Sequence, residues 1–226
     1  MQHLNKIIQS HKSVICLDGT PPCKKAISLI KPGAKVLAAD GAAKWAEKQN
    51  VKLDFIIGDG DSASFSKTSS AQVVKINDQD TTDFEKCIRF ARDENLLPSL
   101  VLGISGGELD HILGNIQALL KHSEKAPLFF IDSYEKNGSE GLKIGLPLHV
   151  GRYTFGVDKG ARVSLIPFER SIVSSKGLVW ELKEMTLEVE GMLSVRNQAL
   201  SEMIDFQVDR GKVILIIDFR GELRYT

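Results

Sequence analysis

The strongest constraint on the fold of this chain is a change of rhythm near residue 132. Before it, short apolar runs at 14–17, 36–39, 55–57, 73–76, 100–102 and 128–131 alternate with segments of helical period. Such alternation calls for a largely parallel sheet covered by helices, because parallel strands must be joined by crossover connections. A polar, Gly-rich stretch at 134–145 follows, expected as a connection or an exposed hairpin. The helical period then disappears. Runs at 154–157, 162–167, 178–182, 186–189, 203–208 and 213–218 are expected as strands separated by turns, with Asp209-Arg210-Gly211 a hairpin connection. At 226 residues the chain can bury two cores. The expected fold is a largely parallel α/β domain over residues 1–140 followed by a C-terminal β-sandwich over 141–226.

Two helices are sharply marked. Phe84, Cys87, Ile88 and Ala91 fall at i, i+3, i+4 and i+7, and Thr82 with Glu85 fits a capping box, which puts Asp83 in the first turn. In the other, Leu109, Ile112, Leu113, Ile116 and Leu120 form the expected buried stripe, with Asp110 near the helix start. Trp45 lies in an amphipathic stretch and is expected in the core.

Composition narrows the partners. Lys plus Arg and Asp plus Glu number 29 each, so no global field draws the chain to nucleic acid or an anionic membrane. Cys16, Cys23 and Cys87 show no Cys-x-x-Cys pair and no nearby His cluster, which argues against a disulfide framework or structural zinc and for inert thiols in a reducing cytosol. No run approaches the roughly 18 apolar residues of a membrane span, and the first residues lack the apolar core of a signal peptide. The expected location is cytoplasmic.

Chemistry concentrates in acidic turns that follow successive strand candidates: Asp40 in Ala-Ala-Asp-Gly, Asp59 and Asp61 in Gly-Asp-Gly-Asp-Ser, Asp80 and Asp83 in Asp-Gln-Asp-Thr-Thr-Asp, and Asp110 in Gly-Gly-Glu-Leu-Asp-His. Singly, an Asp after a strand is most simply a cap, and that is the expectation for Asp40 taken alone. Together at one sheet edge the acids would repel one another unless a cation or basic side chains neutralised them, and hard carboxylate oxygens with a polyphosphate suit Mg²⁺. This points to phosphoryl transfer. A phosphatase with Asp59 as nucleophile is the local competitor. The Gly-x-Gly-x-x-Ala match at 58–63 is weak, since its carboxylates oppose a pyrophosphate. The calcium-loop pattern fails at Ala63 and Ser64, and no Walker-type P-loop is present. Residues 103–107 form either a phosphate-receiving loop or a tight turn. His111 is expected as a partly solvated first-turn residue.

In order and spacing, Ala39-Asp40-Gly41-Ala42, Gly58-Asp59-Gly60-Asp61-Ser62, residues 78–84 and Gly106-Gly107-Glu108-Leu109-Asp110-His111 resemble the motif series of thiamine pyrophosphokinases. Residues 163–167 and 177–180 resemble the family's β-domain segments. The resemblance implies a nucleotide-binding α/β domain, a β-sandwich, and a homodimer with thiamine between subunits. It also implies transfer of the β,γ-diphosphate of ATP to the thiamine hydroxyl, leaving AMP. It makes Asp59, Asp61 and Asp83 the catalytic Mg²⁺ ligands and puts Asp40, Asp80, Thr82, Ser105, Gly106 and Asp110 around ATP. Gln79 and Asn197 would face thiamine. Trp180 is a candidate to stack on thiamine, with a core tryptophan as the equal alternative. The chain departs from the pattern at Glu108, where the family commonly has Arg, at Arg196 before Asn197, and at Gly60. Two further readings follow from these departures: a diphosphotransferase for another heteroaromatic alcohol, and a non-catalytic nucleotide- or thiamine-binding homologue.

Overall fold

The computed structural model describes residues 2–59, 71–136 and 139–219, and these fall into two compact units, residues 10–132 and residues 1–9 with 133–226. The chain opens with β1 (Gln2–His3) and α1 (Leu4–Ser10). The α/β unit then contains β2 (Ser13–Cys16), α2 (Lys24–Ile27), β3 (Lys35–Ala39), α3 (Ala43–Lys48), β4 (Phe55–Gly58), β5 (Gln72–Lys75), α4 (Asp83–Asp93), β6 (Ser99–Leu102), α5 (Leu109–His122) and the start of β7 (Leu128–Lys136). Within this unit the strands are all parallel in the order β7-β6-β2-β3-β4-β5. The sequence steps outward from β2 to β5 and then returns to the far side of β2 with β6. The strand order therefore reverses between β2 and β6, the place where open α/β sheets offer a crevice at their carboxyl ends.

Burial follows from strand position. Every residue of β2 and β6 is buried, as expected for central parallel strands covered on both faces. β5 is an edge strand whose Val73 is exposed, so that apolar run makes a strand but adds little core.

Helix α4 forms as its sequence requires. The Thr82 hydroxyl accepts from Glu85 N–H, the Glu85 carboxylate accepts from Thr82 N–H, and Phe84, Cys87, Ile88 and Ala91 are buried. Helix α5 corrects part of an expectation: Leu109 and Leu113 are 70% and 58% exposed, its buried residues are Ala118, Leu119 and Leu120, and of the expected stripe Leu120 alone is among them. A helical stripe says which residues share a face but not whether a neighbour covers the whole of it. Trp45 is buried, its indole N–H donating to the Leu17 carbonyl at 2.9 Å.

The β unit holds β8 (Ser139–Leu148), β9 (Gly151–Gly156), β10 (Arg162–Pro167), β11 (Ser171–Lys176), β12 (Met185–Leu187), β13 (Ser194–Gln198), β14 (Met203–Arg210) and β15 (Val213–Phe219). They form a sandwich. One sheet runs β13-β10-β15-β8 and the other β1-β9-β14-β11-β12, antiparallel except that β1 lies parallel to β9. Alternation along β10 buries Val163, Leu165 and Pro167, and along β14 it buries Ile204, Phe206 and Val208.

Two sequence expectations change here. Residues 178–182 make one isolated bridge, Leu178 to Ala199, and then turn, because the Glu181 carboxylate accepts from the N–H groups of Gly177 and Leu178 and from the Ser175 hydroxyl. The stretch at 134–145 supplies the end of β7 and the start of β8, neighbours in the sheet as a hairpin requires, but it is not exposed throughout: β8 buries Leu142, Ile144, Leu146 and Leu148, and Gly, Lys and Pro on intervening positions mask that alternation in the sequence.

Candidate active site

The acidic turns follow parallel strands, which deliver them to the same edge of the α/β sheet. After β2 the chain continues Leu17-Asp18-Gly19-Thr20, and this loop is stitched to the loop after β6. Gly19 N–H donates to Gly103 O at 3.1 Å and Thr20 N–H to Ser105 O at 2.7 Å. Gly106 has φ +80°, and a methyl group there would lie 1.8 Å from Thr20 Oγ1, so only glycine fits the interlock. On the other flank, a methyl group on Gly41 would lie 2.2 Å from Asp18 Oδ2, and Asp40 Cβ packs against Gly58. Asp18, Asp40 and Asp59 thus follow neighbouring strands at one edge.

Asp40 is the first residue of a 3-10 turn (Asp40–Ala42) whose N-cap is Ala39, so it is not the cap that it resembles in isolation. It is buried, 3% exposed. Asp59 is half-buried just beyond β4. Asp61 and Gly60 lie outside the described residues. Asp18 is missed by the sequence reading, although Leu-Asp-Gly after an apolar strand repeats the signal carried by Asp40 and Asp59.

The loop from 78 to 83 folds around Asp78. Its carboxylate accepts from Arg89 Nη2 at 2.6 Å, from the Thr81 hydroxyl and from Asp80 N–H, both at 2.9 Å. The Arg89 guanidinium, then Thr81 and the Asp80 N–H, hold its pKa down at about 2. Asp80, Gln79 and Thr82 are exposed on this loop. Asp83 is the first residue of α4, where the helix dipole favours an anion. The Lys86 ammonium, 4% exposed, sits 2.9 Å from Asp83 Oδ1.

Helix α4 fixes the height of Asp83. Phe90 packs on Phe55 with ring centroids 4.8 Å apart. From Phe90 back to Asp83 is about 10 Å of helix and from Phe55 on to Asp59 about 13 Å of strand, so both acids reach the carboxyl edge at similar levels.

Beyond β6, the Ser105 hydroxyl donates to the Asp132 carboxylate on β7, a partner that no sequence motif marks. Glu108 is the N-cap residue of α5 with no side-chain capping bond, and its exposed carboxylate lies 3.9 Å from His111 Nε2. Glu108, Asp110 and His111 form an exposed group, with His111 in the first helical turn as expected.

In the β unit, Asn197 is buried on β13 beside a bulge, and Arg196 before it takes φ +60°. Its amide clamps the neighbouring loop: Oδ1 accepts from Trp180 N–H and Gln198 N–H, and Nδ2 donates to Trp180 O at 2.7 Å. The Trp180 side chain is 64% exposed, which rules out the core alternative.

Comparison with known proteins agrees with this layout. The family model for the thiamin pyrophosphokinase catalytic domain matches residues 26–130, and that for the vitamin B1 binding domain of thiamin pyrophosphokinase matches residues 152–213. Thiamin pyrophosphokinase 1 of Caenorhabditis elegans is 25% identical over 217 residues, 88% of this chain and 87% of that protein. Thiamine pyrophosphokinase 1 of Oryza sativa is 29% identical over 181 residues, 72% and 65% of the two chains. The crystal structure of yeast thiamin pyrophosphokinase superposes with a TM-score of 0.78 at 18% identity, covering 97% of this chain and 91% of that one, which supports the fold. With two family models spanning the α/β and β units in order, the chain belongs to the thiamin pyrophosphokinase family.

Proposed function

We propose that this chain is a cytoplasmic, homodimeric thiamine pyrophosphokinase that moves the β,γ-diphosphate of ATP to the thiamine hydroxyl. The observation that carries the reading is the gathering of Asp18, Asp40, Asp59 and Asp83 at the carboxyl edge of the α/β sheet in a member of this family. In the reaction the thiamine hydroxyl oxygen bonds to the β-phosphorus, the bond from that phosphorus to the α,β-bridging oxygen breaks, and AMP leaves. The hydroxyl proton passes to a nearby carboxylate or to solvent.

The donor set fits Mg²⁺. It consists of carboxylate oxygens, and Lys86 and Arg89, the basic side chains that reach the 78–83 loop among the described residues, are each engaged with an acid, at Asp83 and Asp78. Asp59, Asp61 and Asp83 are the proposed holders. When bound, the ion supplies charge stabilisation on the transferred phosphates. Lys86 orients Asp83, and the cap at Thr82 fixes the start of α4. Asp40, Asp80, Thr82, Ser105, Gly106 and Asp110 are the proposed ATP residues, and Gln79, Asn197 and Trp180 the proposed thiamine residues. Positioning by these groups is the main source of rate in phosphoryl transfer. Homodimer formation is supported by apolar exposure around β13: Val179 and Trp180, bonded to that strand through their backbone, with Val195 on it. No helix among the described residues is long and apolar enough to cross a membrane.

The deciding experiment incubates purified protein with Mg–ATP and thiamine and quantifies AMP and thiamine diphosphate by chromatography. Equal accumulation establishes the transfer and shows that Glu108 is compatible with turnover. Folded protein that yields neither product refutes the proposal and leaves another acceptor alcohol or a binding role.

A further inference from the structure

The Ser105 hydroxyl carries one hydrogen and two lone pairs. Its hydrogen is committed to Asp132 Oδ1. Bonds to a carboxylate are among the stronger ones, so a phosphate oxygen seeking that hydrogen would have to displace Asp132 while facing its negative charge. The backbone of Ser105 is engaged as well, since its carbonyl accepts from Thr20 N–H at 2.7 Å. What the side chain offers a ligand is an acceptor.

Its place in the sheet agrees. Ser105 follows β6 and Asp132 lies on β7, whereas Asp59 follows β4, with β2 and β3 in between. Three strand spacings put Ser105 and Asp59 about 14 Å apart across the sheet. A nucleotide whose terminal phosphates lie at β4 would bring its nucleoside, not those phosphates, to β6 and β7.

We propose that Asp132 fixes Ser105 as a hydrogen-bond acceptor for the nucleoside half of the nucleotide, so that the pair recognises a ribose hydroxyl or the base amino group and not phosphate. This rests on the nucleotide site proposed above and refines the role of Ser105 within it. Asp132 acts through Ser105 and is a positioning residue. The pair lets the site separate a nucleotide from bare polyphosphate, which the acidic edge and its cation cannot do by charge alone.

The test is calorimetric titration of the full chain, in buffer containing Mg²⁺, with ATP, AMP and inorganic tripolyphosphate, using wild type, Ser105→Ala, Asp132→Ala and Asp132→Asn. Loss of one hydrogen bond corresponds to about a five- to tenfold change in Kd. Ser105→Ala and Asp132→Ala are expected to weaken ATP and AMP to that extent, with tripolyphosphate unchanged, or tighter in Asp132→Ala. Asp132→Asn keeps an acceptor oxygen for the Ser105 hydrogen and recovers most of the affinity. Melting curves check the fold, and Ser105→Ala alone decides the matter should Asp132→Ala not fold. Tripolyphosphate weakened as much as ATP by Ser105→Ala, or no change with any ligand, overturns the proposal while leaving the nucleotide site standing. Wild-type protein that binds none of the three removes that site and the proposal together. The analogues 2′-deoxyATP, 3′-deoxyATP and ITP identify the donor. The one lacking it should bind wild type as weakly as ATP binds Ser105→Ala and lose nothing further in that variant; all three behaving like ATP overturns the proposal.

Discussion

Gly106→Ala measures the interlock that shapes the nucleotide end of the proposed site, and its effect separates into two terms. The first is conformational: φ at Gly106 is +80°, and a left-handed L-residue costs about 1–2 kcal/mol. The second is steric. The new methyl would lie 1.8 Å from Thr20 Oγ1, 2.6 Å from Thr20 Cβ and 2.8 Å from Thr20 N. The hydroxyl can swing aside, but the nitrogen is held by its 2.7 Å bond to Ser105 O. Overpacking of this kind adds about 1–3 kcal/mol. The sum, about 2–5 kcal/mol, is a large share of the 5–15 kcal/mol typical of a folded chain. Two glycines isolate the first term: Gly107 (φ +76°) has its nearest contact at 3.6 Å and Gly33 (φ +84°) has nothing within 4 Å. Urea denaturation of the three alanine variants should therefore show Gly107→Ala and Gly33→Ala nearly equal and Gly106→Ala worse by the steric term. Adding Thr20→Gly to Gly106→Ala should recover only part of the loss, because the backbone nitrogen remains. ATP affinity should fall in Gly106→Ala and stay unchanged in Gly33→Ala. Equal destabilisation of all three would mean that the two loops do not interlock.

The remaining expectations concern metal, pH and assembly. Asp59→Asn and Asp83→Asn, measured singly over a Mg²⁺ titration, should lower turnover or raise the Mg²⁺ requirement by about tenfold or more; near-wild-type kinetics in both would remove the metal assignment. Burial pushes the Glu85 carboxyl up, but bonds from Lys121, His122 and Thr82 N–H outweigh it and hold the pKa at about 2 against an ordinary 4.5. A depressed carboxylate stabilises the fold above its unfolded pKa and loses that contribution as pH falls through the folded one. Wild-type stability should thus drop between pH 4.5 and 2, by about 1–2 kcal/mol from this group once solvent screening at the half-exposed Lys121 is allowed for. Glu85→Gln should flatten that part of the profile, and an unchanged slope would mean that Glu85 is not tied to α5. Val195→Glu, at a position 53% exposed on β13, should convert a dimer to a folded monomer by light scattering; a dimer that persists would place the interface elsewhere.

Much of the α/β unit is legible in the sequence because its signals are local. A buried parallel strand is a short apolar run, and a capped amphipathic helix carries its start signal and its buried stripe within one window, as α4 does from Thr82 to Ala91. Legibility fails where burial depends on distant chain. The Leu109 to Leu113 face of α5 has the same period as α4 yet remains exposed, and β8 hides its alternation among Gly, Lys and Pro. The bridge at Leu178 does not extend into a strand, because Glu181 draws the local N–H groups into a turn, a choice made by one side chain against the β-propensity of Val179 and Trp180.

The proposed site divides along the same line. Asp40, Asp59 and Asp83 can be found because each stands next to the element that delivers it, and a parallel sheet sends every such position to one edge. Asp132 cannot, since it lies inside β7 and its meaning comes from a hydrogen bond to a residue 27 positions earlier. Lys86 is intermediate: it follows Asp83 at helical spacing, but only burial to 4% shows that it serves Asp83 in place of solvent. Glu108 illustrates the converse. In the sequence an acid in place of the family's Arg looks like a fault in a phosphate site. In the fold it sits exposed at the N-cap of α5, its side chain 79% accessible, where water screens its charge and the positive end of the helix dipole favours it. An exposed carboxylate there opposes phosphate binding far less than a buried one would, so loss of turnover does not follow from that substitution alone.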